Sequence, residues 1–238
     1  MEIELSIVLL TYNHWELTLP RLVELTQKMP WEGAELVWVD NGSTDETTLQ
    51  GTTFWNQHFD KPFQYLRLSP NLGFDGGFNA GVAKAKGKNL LLLSNDVKIN
   101  NSSFVNDILS LVKNDDRILL GGRILQHDTG WNVFEVEDKK YLVPYCEGYA
   151  LALTRKAWDD LGGFDPLYHP YDFEDVDLSL TALSKGFILA EMPSEWFTHF
   201  CAKTINQPDR SIISLANREK FYNKWKENFA KVLKEYTS

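Results

Sequence analysis

Two stretches of this 238-residue chain have the residue types and spacing to do chemistry. Ser94-Asn95-Asp96 closes the four-leucine run Leu90–Leu93, and Asp172-Phe173-Glu174-Asp175-Val176-Asp177 packs four acids into six positions. A carboxylate such as Asp96 can hold Mg2+ or Mn2+, which take oxygen ligands and often rest on one or two carboxylates plus substrate phosphates. A carboxylate such as Asp175 or Glu174 can take a proton from an attacking hydroxyl. Acids also favour a helix N-terminus, where the dipole is positive, and Asp172 and Asp177 are read as no more than that. A third stretch, Asn71-Leu72-Gly73-Phe74-Asp75-Gly76-Gly77-Phe78-Asn79-Ala80-Gly81, carries four glycines that let backbone approach a sugar or phosphate.

These groups need a frame. Apolar, β-rich runs at Ile3–Leu10, Glu35–Asp40, Phe63–Leu68 and Asn89–Ser94 read as strands. Helical patterns fall between them over Leu17–Lys28, Thr47–His58 and Gly77–Lys86. Strands alternating with helices imply a parallel sheet, and near-continuous apolar strands imply one covered on both faces. Ligands then bind at the carboxyl ends of the strands. The tips there are Thr11-Tyr12-Asn13, Asp40-Asn41-Gly42-Ser43-Thr44-Asp45, the glycine segment and Ser94-Asn95-Asp96. Each alone is ordinary turn chemistry, but four polar tips on one edge point to a ligand.

The second half differs. A helix is expected over Asn101–Lys113, then short strands at Ile118–Gln126, Asn132–Val136, Tyr141–Tyr145 and Tyr149–Thr154. A helix over Asp172–Lys185 and short strands at Phe187–Glu191 and Glu195–Phe200 follow. Asp209–Tyr236 reads as a long helix in one or two pieces, with Phe221, Trp225 and Phe229 on one face. The natural division is a nucleotide-sugar half over 1–98, an acceptor and catalytic half of the same domain over 99–205, and a C-terminal helix over 206–238.

Composition narrows the function. A net charge of −9 argues against nucleic acid as a partner. Cys146 and Cys201 follow no metal or redox spacing and are expected to be free thiols. The run Ile3–Leu10 is short and contains Glu4, unlike a signal peptide, and no stretch approaches the ~20 apolar residues of a membrane span. A cytoplasmic location is the expectation. Lys220, Lys224, Lys226, Lys231 and Lys234 make the last helix basic, and a basic amphipathic helix can make peripheral contact with an anionic membrane. The commoner outcome is that its apolar face packs on the domain. The first strand ends without glycine, so neither a dinucleotide fingerprint nor a phosphate-binding loop stands there, and a nucleotide-sugar pyrophosphorylase is disfavoured for the same reason.

SIVLLTYN, VDNGSTD, NLGFDGGFNAG and SNDV, in this order, resemble the nucleotide half of a family 2 glycosyltransferase with a GT-A fold. GYALALTRKAWDDLGGFDPLYHPYDFEDVDLSLTALSKGF resembles that family's acceptor half, so the resemblance spans about Ile3–His199. The NLGFDGGFNAG form is similar to the rhamnosyltransferase-like branch. The implied fold is a Rossmann-like α/β one, with a mixed, mainly parallel sheet flanked by helices. The implied activity is inverting transfer of a sugar, L-rhamnose among the options, from a UDP- or dTDP-sugar donor to a hydroxyl of a saccharide or lipid-linked saccharide acceptor.

On that resemblance Asp175 is the catalytic base, with Glu174 beside it. Asp96 holds Mn2+ or Mg2+ on the diphosphate, and His199 is the second metal ligand, with His169 its rival. Thr11, Tyr12, Asn13, Asn71, Gly73, Phe74, Gly77, Asn79 and Asn95 line the nucleotide-sugar, and Gly148 and Tyr149 the acceptor. Asp40, as a strand-tip carboxylate, can accept a hydrogen bond from the N–H of uracil or thymine. Trp131 is a candidate for stacking on a sugar ring, with core packing as its alternative. Family members commonly carry Asp-x-Asp where this chain has Ser94-Asn95-Asp96. That departure favours the alternative of a non-catalytic nucleotide-sugar or carbohydrate-binding module on a degenerate fold; Glu174-Asp175 argues against it.

Overall fold

The computed structural model describes residues 2–58, 60–113, 115–200 and 207–233. Cys201, Lys234 and the end of the expected last helix lie outside them; Cys146 is a buried free thiol.

Seven strands form one sheet. In chain order they are β1 (Leu5–Thr11), β2 (Ala34–Asp40), β3 (Phe63–Arg67), β4 (Asn89–Ser94), β6 (Ile118–Gly121), β11 (Ala150–Thr154) and β12 (Ile188–Glu191). The spatial order is β12-β6-β11-β4-β1-β2-β3. β1 pairs in parallel with β2 and β4, and β2 with β3. β11 runs antiparallel to β4 and β6. Parallel strands bring their ends to the binding edge, whereas β11 brings its beginning there, and this decides where the two halves of the chain meet.

The leucines of β4 show why the sheet is covered on both faces. Successive strand side chains point to opposite sides. Leu91 and Leu93 therefore join one core, with α1 (Trp15–Lys28), α2 (Thr47–Asn56) and α4 (Phe104–Val112). Leu90 and Leu92 join the other, with α3 (Gly73–Lys84), α5 (Arg155–Leu161) and α6 (Glu174–Ser184). All four are at most 2% exposed, and each contributes roughly 1.5–3 kcal/mol by burial. The result is a three-layer α/β/α domain.

Smaller pieces decorate it. β5 (Val97–Ile99) pairs with β13 (Phe197–His199), β7 (Ile124–Leu125) with β10 (Tyr145–Cys146), and β8 (Val133–Val136) with β9 (Lys139–Leu142). α7 (Gln207–Trp225) and α8 (Phe229–Val232) close the described chain. Phe221, Trp225 and Phe229 do pack on the domain, in a third core with Phe134, Tyr168 and Phe173. Lys224 pairs with Asp165 and Asp177, and Lys220 donates to the Leu167 carbonyl, so these two lysines are turned onto the protein.

Several elements differ from expectation: Ile118–Gln126 divides into β6 and β7 of different sheets, Tyr141–Tyr145 divides between β9 and β10, and Glu195–Phe200 is strand only over β13. α3 begins at Gly73, four residues before the expected start, because the glycines enter the helix rather than precede it. α5 is not among the expected helices, although Ala157, Trp158 and Leu161 are spaced to bury one face of it. It starts where Thr154 Oγ1 accepts the Ala157 N–H and ends at Gly162 in the left-handed conformation, an N-cap and C-cap pair.

Candidate active site

Strand register assembles the site edge. Thr11 lies opposite Asp40, and Leu10 opposite Ser94, so the ends of β1, β2 and β4 are level. Ala150 lies opposite Leu93, which puts Gly148 and Tyr149, just before β11, beside Ser94. The Ser94 N–H donates to the Tyr149 carbonyl at 3.0 Å.

Asp96 sits immediately beyond. Its side chain is 7% exposed. Ser94 Oγ donates to Asp96 Oδ1 at 2.5 Å, and His199 Nε2 lies 3.3 Å from Asp96 Oδ2. The β5–β13 pairing brings His199 here, opposite Val97, and the Phe200 N–H donates to the Asp96 carbonyl. The Tyr149 ring stacks on His199, centroids 4.1 Å apart, which fixes the plane of the imidazole. Burial works to raise the Asp96 carboxyl, but hydrogen bonds from His199 and Ser94 outweigh it and hold the group below its ordinary value. An ionised carboxylate oxygen and an imidazole nitrogen 3.3 Å apart could hold a divalent cation if the imidazole gives up the proton it shares with Asp96. Two adjacent ligands on an octahedral ion of this kind are about 3 Å apart. No third His, Cys, Asp or Glu joins them among the described residues.

The acidic pair lies on the other side of the same short segment. Asp175 Oδ2 accepts the Gly148 N–H at 2.9 Å, and Oδ1 accepts the Val176 N–H at 2.8 Å. Burial first, then the charge of Asp172, pushes the Asp175 carboxyl up to about 7 against those hydrogen bonds. Glu174 is 5% exposed, and burial, followed by the charge of Asp175, raises it well above its ordinary value. Its Oε2 is buried without a hydrogen-bond partner, as is Oδ1 of Asp75 at the start of α3. Gly148 and Tyr149 are consecutive, so one dipeptide touches both the base candidate and the histidine beside Asp96.

Several residues expected to meet the donor also bond or pack within the protein. Asp40 is fully buried. Its carboxylate accepts the Ser43 N–H and the hydroxyls of Tyr65 and Thr48, so it organises the β2 turn. Thr11 is 1% exposed and accepts from Trp38 Nε1. The Asn71 carbonyl oxygen accepts from Gly73 N and Asn41 Nδ2. Asn79 donates to the Phe164 carbonyl and accepts the Phe164 N–H, clasping α3 to the turn after α5. Asn95 is 4% exposed and points to Thr18. Gly73 has φ +75° and is crowded by His169 and Pro170, and a Cβ at Gly77 would lie 2.5 Å from Leu10, so both positions are closely packed. Phe74 is half-buried against Phe78 and Phe164.

Tyr12 and Asn13 remain half-buried at the end of β1. Asn13 Oδ1 accepts the Thr44 N–H, and the Asn13 and His14 N–H groups donate to Ser43 and Asp45, so the β1 and β2 tips are laced into one ledge. His169 lies 3.6 Å from Asp75, away from the Asp96 pair. Trp131 is 44% exposed. The stack of Tyr149 on His199 and the Ser94–Asp96 bond escape sequence reasoning, since no spacing signals a contact between residues 50 positions apart or a hydroxyl turned back on its neighbour.

Residues 6–167 match the family model described as Glycosyl transferase family 2. The chain belongs to that family. Curated relatives of this family 2 chain include uncharacterised proteins of Mycobacterium tuberculosis and Mycobacterium bovis. They are 32% identical over 153 residues, 57% of this chain and 57% of theirs, so the match spans little more than half of each. Among solved structures, a mannosyltransferase from Pyrobaculum calidifontis in complex with GDP-Man and Mn2+ is similar with TM-score 0.71 and 17% identity, over 94% of this chain and 65% of that one. GalNAc-T7 with UDP, GalNAc and Mn2+ is similar with TM-score 0.72 and 15% identity, over 96% and 49%. TarS of S. aureus in complex with UDP-GlcNAc gives TM-score 0.58 and 18% identity, over 93% and 67%. The fold of this family 2 glycosyltransferase chain is therefore GT-A, and α7 and α8 lie beyond the matched segment.

Proposed function

We propose that the chain transfers a sugar, with inversion, from a nucleotide-sugar donor to a hydroxyl of a saccharide or lipid-linked saccharide. The observation that carries this reading is the Gly148-Tyr149 dipeptide. Its first N–H holds Asp175, and its second ring holds His199 against Asp96. A base and a charge-holding pair are thereby fixed relative to each other at the sheet edge where family membership calls for a donor.

Asp175, raised to about 7, is poised to be ionised near neutral pH and still basic enough to take a hydroxyl proton. As that proton moves to the carboxylate, the acceptor oxygen forms its bond to the anomeric carbon. The bond from that carbon to the diphosphate oxygen breaks on the opposite face, and the electron pair leaves with the nucleoside diphosphate. Asp96 and His199 would hold Mn2+ or Mg2+, and the cation would offset the charge that develops on the departing diphosphate. The Tyr12–Asn13 and Ser43–Asp45 ledge offers the nucleoside a backbone-lined shelf. In this reading residues 1–98 serve the donor and 99–205 the acceptor.

The test is a donor panel. UDP-, dTDP- and GDP-sugars, dTDP-L-rhamnose among them for the NLGFDGGFNAG form, are scored by the rise in melting temperature with and without Mn2+. Nucleotide release is then followed with saccharide acceptors. One donor class is expected to raise the melting temperature in a Mn2+-dependent way and to turn over. Tight binding of a donor with no turnover on any acceptor would identify a binding module instead.

A further inference from the structure

Asp172 and Phe173, the two residues before the acidic pair, have φ of +68° and +80°. Consecutive non-glycine residues in the left-handed region are disfavoured and persist only where surroundings hold them. Here the surroundings are one face of α7. The Asn217 side-chain amide, 1% exposed, donates to the carbonyls of Tyr168, Tyr171 and Asp172 at 2.6, 2.8 and 3.1 Å. Arg210 grips the Asp172 carboxylate with Nε at 3.2 Å and Nη2 at 2.9 Å, and the Ser214 hydroxyl donates to the same carboxylate. One turn further on, Phe221 packs on the Phe173 ring, centroids 5.7 Å apart. Positions 210, 214, 217 and 221 recur at intervals of four, three and four, a single helix stripe.

We infer that α7 is a clamp that positions the base: Arg210, Ser214 and Asn217 hold the Asp172-Phe173 turn in its left-handed form and so set the direction in which α6 presents Glu174 and Asp175. This rests on the reading of Asp175 as base. α6 has no N-cap side-chain bond of its own at Phe173, so its first turn takes its bearing from the clamped turn before it. The acidic pair and the clamp both lie beyond residues 6–167, the part matched to the family. Arg210, Ser214 and Asn217 act through Asp172 and the backbone and are positioning residues.

The experiment compares the full-length wild type with Asn217→Ala, Arg210→Ala and Arg210→Lys. Amide hydrogen exchange over residues 173–178 and over β1 and β4 is measured first. The clamp predicts that exchange at 173–178 speeds up about tenfold or more in Asn217→Ala and Arg210→Ala, while β1 and β4 keep their rates. With the sugar nucleotide that wild type turns over fastest, kcat falls about tenfold or more with donor KM within about twofold, since a small misplacement of a catalytic group is costly. In Asn217→Ala, which changes no charge, the rising limb of the pH profile moves to lower pH as Asp175 gains water, and Arg210→Lys recovers much of the kcat that Arg210→Ala loses.

Unchanged exchange at 173–178 overturns the clamp, as does faster exchange there with wild-type kcat. A loss of kcat and KM together, in step with a general rise in exchange, would mark a merely structural contact and also overturn it. If Asn217→Ala does not fold, the half-buried Arg210 and its lysine variant decide. A wild-type chain without turnover on any donor counts against the transferase reading, and exchange at 173–178 then decides the clamp alone.

Discussion

At the scale of residues, the site is defined by how each carboxylate is partnered. Asp96 keeps its charge because His199 and Ser94 face it, whereas Asp175 and Glu174 are raised because burial dominates. Asp96→Ala is expected to fold normally and to lose the Mn2+-dependent part of the donor-induced rise in melting temperature, measured by thermal shift. A variant that keeps that part would remove Asp96 from the metal. For Asp175, kcat/KM should climb with pH through about 7 and then level, because the base works only when ionised.

Glu174 leads to a stability prediction at the same scale. Its folded value is raised above the ordinary 4.5, so the folded chain holds the proton after the unfolded chain has released it. Stability therefore falls as pH rises above about 4.5, until the folded carboxyl also ionises. Glu174→Gln removes that fall. The melting temperature of the variant, compared with wild type from pH 5 to 8, should show a growing advantage toward the alkaline end, and a constant difference would contradict the assignment.

At the scale of elements, the strands were legible because their apolar runs are compact. LLLL in β4 resolves into two alternating pairs, one for each core. Helix starts were less legible. Gly73 to Gly77 reads locally as loop, and only the docking of α3 against β1 and against Pro170 makes it helix. Asp40 is legible as a strand-tip carboxylate, but the groups that bond it, Tyr65 among them, come from other elements. Sequence spacing does not disclose such partners. Close packing between elements also gives a test: a Cβ at Gly51 of α2 would lie 2.1 Å from the buried ring of Trp38. Gly51→Ala should lower the unfolding free energy by about 1–3 kcal/mol through overpacking, despite alanine's better helix propensity, as read by urea denaturation.

At the scale of the molecule, the sheet order joins two chemistries. Parallel β1, β2 and β4 end where antiparallel β11 begins, and that junction places Gly148 and Tyr149 between Asp175 and the Asp96–His199 pair. The acidic stretch and Asp96 were legible as candidates from their residue types. Their meeting was not, because it depends on the antiparallel insertion of β11 and on the β5–β13 pairing. As proposed, Asp175 is the base of a transfer reaction assembled at this junction. That role is tested most directly by the turnover of Asp175→Asn in the full-length chain, with the donor chosen by the panel and donor affinity measured alongside. Turnover is expected to fall by about a hundredfold or more, with donor affinity within about twofold of wild type. Near-normal turnover in Asp175→Asn would contradict it.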